Sequence, residues 1–373
     1  MRTVLHYKTH FLNPSETFIH RFIANHQSYR PAALCYNKKS FSGNLDIYEV
    51  PKTGSAGWMN RLAFLLNRTL PYYRQTIEEL RPDLIHAHFG YDGYKLLSLS
   101  ESLNIPLLIS FYGSDVSRLP GEAGWKKRYR KMARSTARFV AASEFMKRQL
   151  IGLGFPESRI EVVRFGFDTR EIPFHPGYRP DKPVMMVGRL VEKKGFRYAL
   201  KALHLLKQSG IEAEAHIFGD GPLRQKLALL STELGIDQQI HFRGFQPVDK
   251  ILDELPRHSL LLAPSVRADD GDMEGLPNTI LEAMAAGTPV LTTRHAAIPE
   301  AVMHTKSGFL TDERDPRQLA GIMERFYSGD YPIMEICKNA RTVIEQEYQL
   351  EKNVRQLEAL YDQMTKGGPG RNQ

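Results

Sequence analysis

The sequence predicts an α/β protein of two doubly wound, Rossmann-like domains, and three observations carry that prediction. Short apolar runs of strand character alternate with helical stretches along the chain, the order that a parallel sheet with crossover helices requires. The alternation breaks once, at 167–181, where three prolines interrupt a stretch with neither helical nor strand period. The 373 residues suffice for a separate core on each side of that break. We therefore expect a first domain over 1–168, a linker over 169–182, a second domain over 183–345 and a terminal segment over 346–373.

Taken in order, residues 3–7, 32–35, 83–87, 106–110 and 139–142 read as first-domain strands, with helical stretches such as 58–80 between them. Residues 183–187, 213–218, 240–243, 260–263 and 289–293 read as the second set. A helix is predicted over about 278–286. Pro277 suits a first helical position, where the N–H it lacks has no intrahelical partner, and Gly287-Thr-Pro289 stops the helix. Residues 340–365 are charged and helical until Lys366-Gly-Gly-Pro-Gly, and 367–373 are expected to fray.

Composition narrows the class. The chain is 42% hydrophobic and 25% charged, as in soluble globular proteins. Its start lacks the apolar core of a secretory signal, and no run of about 18 apolar residues marks a membrane span. Cys35 and Cys337 belong to no metal-spaced cluster, so a reduced, cytoplasmic protein without structural zinc is expected. Charge is lopsided: residues 1–170 carry 25 Lys and Arg against 14 Asp and Glu, while 171–373 carry 25 against 28. The basic partner surface thus belongs to the first half. With no recognition helix or stacking motif beside that charge, nucleic acid ranks well below an anionic membrane.

The strongest chemical signal is Glu274-Gly-Leu-Pro-Asn-Thr-Ile-Leu-Glu282, which straddles the predicted helix start. The unpaired N–H groups of Gly275, Leu276 and Asn278, around Pro277, suit a diphosphate at the positive end of the helix dipole. Glu274 and Glu282 would repel that anion, so each is better placed to accept hydrogen bonds from hydroxyls. A capped, solvated helix with two chance acids explains the same spacing. A second signal, Val187-Gly-Arg-Leu-Val-Glu-Lys-Lys-Gly195, places Gly188, Arg189 and Lys194 in a loop between a strand and a helix; a solvated basic loop is its bland reading.

Together with the flanking Asp269-Asp-Gly-Asp-Met and Ala283-Met-Ala-Ala-Gly-Thr-Pro-Val290, these strings resemble the donor site of retaining, two-domain glycosyltransferases of the GT-B fold, family 4 or group 1. The resemblance implies two domains facing a cleft, a last helix that returns to the first domain, and a nucleotide sugar, UDP- or GDP-linked, as donor. It implies hexose transfer to a glycan or lipid-diphosphate-linked acceptor, with no metal and no cofactor. Arg189 and Lys194 would neutralise the departing diphosphate, Glu274 would face the transferred sugar and Glu282 the ribose. By the same resemblance, Gly219 and Asp220 in Phe218-Gly-Asp-Gly-Pro222 lie near the nucleotide, and Phe245 in Arg243-Gly-Phe-Gln-Pro247 beside the base. Phe245 equally fits a core position. Asp269, Asp270 and Asp272 read as loop solvation around a turn at Gly271.

In the first domain, Phe11-Leu-Asn-Pro-Ser-Glu-Thr-Phe-Ile-His20 resembles the first loop of bacterial exopolysaccharide transferases, the colanic-acid type included. Ser15 and Thr17 would face the donor there, although N-capping alone explains Ser15. Ile85-His-Ala-His-Phe-Gly90 and Ser110-Phe-Tyr-Gly-Ser-Asp115 match the same family. His86 and His88 have no third ligand in view, so a metal is not expected. Where many members carry His-Gly, this chain has Tyr112-Gly113, and a phenol of pKa about 10 is a poor base. In the front-face mechanism attributed to the family the leaving phosphate takes the proton, so Tyr112, with His88 or Asp115, is expected to position the donor or acceptor. The replacement also motivates an alternative, a weakened nucleotide-sugar-binding partner protein; an epimerase of the same architecture is a third. Finally, the basic segment 124–134, with Trp125 and Tyr129, suits an anionic membrane or a lipid diphosphate, or else is a solvated helix.

Overall fold

The computed structural model describes residues 1–11, 17–38, 45–65 and 70–366. The chain divides into two compact units, residues 1–167 with 348–373, and residues 168–347.

The first unit holds a seven-stranded parallel sheet of β1 (Arg2–Tyr7), β2 (Tyr29–Cys35), β3 (Asp46–Glu49), β4 (Leu84–His88), β5 (Leu107–Phe111), β6 (Arg138–Ala141) and β7 (Ile160–Val162), in the order β3-β2-β1-β4-β5-β6-β7. Every residue of β4 and β5 is buried, as in a central strand covered on both faces. Pairing sets His6 opposite His86, and His88 opposite Ser110, so four polar side chains share the middle of an otherwise apolar sheet. The helical stretch expected over 58–80 is two helices, Gly54–Leu65 and Pro71–Leu80. Pro71 starts the second at the one place where its missing N–H breaks no hydrogen bond.

The second unit holds β8 (Val184–Val187), β9 (Ala215–Phe218), β10 (Ile240–Gly244), β11 (Leu261–Ala263), β12 (Val290–Thr293) and β13 (Phe309–Thr311), parallel, in the order β10-β9-β8-β11-β12-β13. Both sheets reverse direction beside their first strand. The loops after β8 and β11 therefore diverge at the carboxyl edge, where open α/β sheets bind ligands. Strands β3, β7 and β13, absent from the sequence reading, are three- or four-residue edge strands too short to show a period.

Residues 169–182, expected as linker, are tied onto the second unit. The Arg341 guanidinium donates to the carbonyls of Thr169, Ile172 and Ala285, at 2.8, 3.0 and 2.7 Å, and His175 N–H bonds Ala286 O. The charged tail is two helices, Ile333–Glu347 and Leu350–Lys366, separated where Tyr348 O accepts from Phe167 N–H. Leu357, Leu360 and Tyr361 of the last helix pack on Val4, Leu84, Leu108 and Val140 of the first sheet. Among the described residues no helix is long and apolar enough to cross a membrane.

Candidate functional site

In the second unit the site is built on the loops after β8, β9 and β11 and on the helix Asn278–Ala286. That helix has the bounds the sequence predicts, and Gly287, at φ +82°, ends it. Pro277 sits one place earlier than expected, at the N-cap, where no side chain caps the first turn. The N–H groups of Asn278 and Thr279 are therefore left to an external acceptor, while Ile280 N–H bonds Pro277 O. Glu282 is buried on the inward side of the second turn, about 6 Å along the axis from Asn278.

Two glycines let the loops approach one another beside this helix. A Cβ on Gly195, at φ +67°, would lie 1.8 Å from Pro264 O, and one on Gly219 would lie 2.0 Å from Gly188 O. The close approach puts Val187, Lys194, Ala263, Ser265, Pro277 and Thr279 around one pocket. Arg189 is exposed and, among the described residues, makes no ion pair. Gly219 N–H bonds Gly244 O at 2.7 Å, which brings the β10 loop alongside; there Phe245 is 70% exposed, so its core reading is excluded. Asp220 is exposed and accepts from Gly221 N–H.

Charge is concentrated at Glu274. Its carboxylate lies 3.2 Å from Lys194 Nζ and 3.5 Å from Lys193 Nζ, and Lys193 also reaches Asp272 at 3.0 Å. Burial alone would raise the Glu274 carboxyl, but the ammonium groups of Lys194 and Lys193 outweigh it and hold the group below the usual carboxylate range. The Glu274 backbone is fixed as well: its N–H donates to His295 Nε2 at 3.1 Å. Since that nitrogen accepts, His295 Nδ1 carries the proton and donates to Glu313 Oε1 at 2.6 Å, while Glu313 Oε2 accepts from Arg267 N–H. Asp269 pairs with Arg314, and Asp270 accepts from Asp272 N–H, so these acids hold their own loop. Sequence reasoning missed Lys193, His295 and Glu313. Only the Lys-Lys doublet, and a histidine two places after a strand, hinted at them.

In the first unit, Tyr112 directly follows β5 and is half-buried, packed between Phe18, Phe89 and Phe165. Its hydroxyl lies 2.7 Å from His88 Nδ1. Asp115, expected to orient donor or acceptor, is fully buried instead. Its oxygens accept from the N–H groups of Tyr112, Gly113 and Gly90 at 3.0, 2.9 and 3.1 Å. It therefore shapes the Tyr112-Gly113 loop and is spent on backbone. His88 is also buried, with Tyr112 as a hydrogen-bond partner. His86 and His88 do have a third imidazole beside them, His6, with ligand nitrogens of all three within 4.8 Å. The sequence could not show it, because only the β1–β4 register joins position 6 to position 86. Ser15 lies outside the described residues, and of Thr17 only the backbone is described, at the start of the helix Thr17–Ala24.

The basic segment forms the helix Trp125–Arg134. Tyr129, expected on its charged face, is buried and donates its hydroxyl proton to Asp115 O, and Trp125 packs on Tyr94. The exposed face is Lys126, Lys127, Arg130, Lys131 and Arg134.

The chain is similar to known proteins. Residues 29–171 match the family model "Glycosyltransferase Family 4" and residues 168–348 the model "Glycosyl transferases group 1". AmsK of Erwinia amylovora, an amylovoran biosynthesis glycosyltransferase, is 32% identical over 286 residues, which are 76% of this chain and 70% of AmsK. WcaL of Escherichia coli (strain K12), named for colanic acid biosynthesis, is 32% identical over 291 residues, 77% of this chain and 72% of WcaL. Among solved structures, Anabaena HepE in complex with UDP superposes with a TM-score of 0.78 at 20% identity, covering 97% of this chain and 100% of HepE, a likeness of fold. With its two Rossmann-like units of the GT-B class, this chain belongs to the group 1, family 4 glycosyltransferases and is a glycosyltransferase.

Proposed function

We propose that the protein transfers a hexose from a UDP- or GDP-linked donor to a glycan or lipid-diphosphate-linked acceptor during synthesis of a bacterial surface polysaccharide, with the anomeric configuration retained and without a metal. The observation that carries the reading is the Lys194–Glu274 pair at the uncapped start of the Asn278–Ala286 helix. A diphosphate lodged there meets the first-turn N–H groups, Lys194 and the exposed Arg189, and their charge stabilises the departing nucleoside diphosphate. Glu274, kept ionised by its lysines, is a weak base but a good acceptor, which suits binding a sugar hydroxyl rather than removing its proton. Glu282 takes the ribose, and the exposed Phe245 ring flanks the base. Gly219 and Asp220 border the nucleotide. In this reading the leaving phosphate oxygen accepts the incoming proton.

The names of AmsK and WcaL favour an exopolysaccharide product. The five exposed cations of the Trp125–Arg134 helix favour electrostatic attachment to an anionic membrane, without aromatic insertion. The test is incubation with UDP- and GDP-hexoses plus lipid-linked acceptor, with the product examined by proton NMR and the assay repeated in EDTA. Transfer with the donor's anomeric configuration, undiminished by EDTA, is expected; an inverted product or loss of activity in EDTA contradicts the corresponding part.

A further inference from the structure

We propose that the Glu358 carboxylate, facing His26, sets the direction of a hydrogen-bond chain through His26, His6 and His88 that locks Tyr112 as a proton donor, so that its oxygen recognises hydroxyl groups and rejects phosphate oxygens. The proposal rests on the reading that Tyr112 faces a substrate. The chain runs through the first unit from its last helix to the end of β5. Glu358 Oε1 lies 3.4 Å from His26 Nδ1, an ion-pair approach outside hydrogen-bond geometry. His26 Nε2 lies 3.0 Å from His6 Nε2, His6 Nδ1 lies 3.0 Å from His88 Nε2, and His88 Nδ1 lies 2.7 Å from the Tyr112 hydroxyl.

Each neutral imidazole has one N–H and one bare nitrogen, so a single fixed end decides every link. Glu358 is that end. Burial would raise its carboxyl, but His26 and the N–H groups of Ser28 and Gln27, at 2.9 and 2.8 Å, outweigh it and hold the group near about 2. An ionised carboxylate only accepts. A neutral His26 facing it carries its proton on Nδ1 and accepts at Nε2; His6 then donates from Nε2 and accepts at Nδ1, and His88 donates from Nε2 and accepts at Nδ1. The Tyr112 proton must then point at His88, and any other group that bonds its oxygen must bring a proton of its own. A sugar hydroxyl does so; a phosphate dianion cannot.

Burial makes the neutral state of His6 and His88 the stable one, and the neighbouring imidazoles and Lys8 reinforce it. His86 stands beside the chain, bonded to Tyr361 and Ser110 hydroxyls at 2.7 Å each, and takes no part in its direction. The three rings His6, His86 and His88 also resemble a metal-ligand set, but a bound ion would occupy the nitrogens that the chain needs.

The test is long-range proton–nitrogen NMR of the full chain with 15N-histidine at neutral pH, with metal analysis of the same sample. Protons on Nε2 of His6 and His88 and on Nδ1 of His26 are expected. A different tautomer in any of the three, or a stoichiometric metal on them, overturns the proposal. Because Oε1 of Glu358 faces His26 as well as the Ser28 and Gln27 N–H groups, Glu358→Leu, which fills the same space without an acceptor, removes the fixed polarity. It should mix the tautomers and lower kcat about tenfold with donor KM unchanged; wild-type tautomers and turnover in this variant overturn the proposal too. Tyr112→Phe with full turnover removes the hydroxyl-reading role and leaves glycosyl transfer standing, whereas wild-type protein with the expected tautomers and no transfer strikes the proposed function itself.

Discussion

Acid should unfold the first unit early, and the buried histidines set how early. Burial holds His86 down to about 3, and His6 and His88 are likewise held well below the ordinary value of 6.5. As pH falls through about 6.5 the unfolded chain binds a proton at each of these sites and the folded unit does not. Stability is therefore unaffected above that pH and lost progressively below it, by about 1.4 kcal/mol per pH unit for each group. At pH 5 the loss is about 2 kcal/mol per imidazole and about 6 kcal/mol for the three, comparable to the roughly 5–15 kcal/mol that holds a domain together. Glu358 works in a lower window, its stabilisation being lost only as pH falls below the ordinary carboxylate range, so it does not offset the loss at pH 5. Both tryptophans, Trp58 and Trp125, belong to the first unit, so urea unfolding followed by tryptophan fluorescence reports that unit alone. Between pH 7.5 and 5 its unfolding free energy should fall by several kcal/mol, and His86→Gln should remove about one proton from the slope. A fall of less than about 1 kcal/mol would refute the claim that these rings are buried and neutral.

Three further outcomes follow from single contacts. Gly195→Ala forces a side chain into Pro264 O at a positive φ, and should cost about 1–3 kcal/mol in denaturant unfolding of the second unit, with weaker donor binding. Asp115→Ala strands the N–H groups of Tyr112, Gly113 and Gly90; turnover should drop at least tenfold and nucleotide affinity stay unchanged in calorimetry, because the loss is confined to the first unit. Replacing Lys126, Lys127, Arg130, Lys131 and Arg134 by glutamine should abolish low-salt binding to anionic vesicles while leaving the melting temperature within a few degrees, since all five side chains are exposed.

Much of the fold was legible because parallel central strands are continuous apolar runs, and β1, β4, β8 and β12 lie within a residue or two of their predicted positions. The Asn278–Ala286 helix was legible because Pro277 and Gly287 punctuate it chemically. Edge strands β3, β7 and β13 were not, being too short to repeat a pattern. In the second-unit site, the strings around Arg189, Lys194 and Glu274 announce themselves locally. His295 and Glu313, which hold Glu274 in place, do not, because 18 residues separate them and only the β12–β13 pairing brings them together. The histidine chain is further out of reach: Glu358 lies 332 positions from His26, and nothing in the local sequence of either announces the other. Asp115 was singled out by its motif, but motif matching finds the residue without saying whether its oxygens face a substrate or three backbone N–H groups.

On the proposed function, the donor's diphosphate lodges against Lys194 at the start of the Asn278–Ala286 helix while Glu274 reads the sugar. The most direct measurement is calorimetric titration of UDP, GDP and their hexose conjugates into wild-type, Lys194→Ala and Glu274→Gln protein. Lys194→Ala should weaken the free nucleoside diphosphate at least about tenfold. Glu274→Gln, which removes a negative charge 3.2 Å from Lys194, should leave the free diphosphate as tight or tighter and weaken only the intact nucleotide sugar. A diphosphate affinity indifferent to Lys194→Ala, or one lost on Glu274→Gln, would contradict the account.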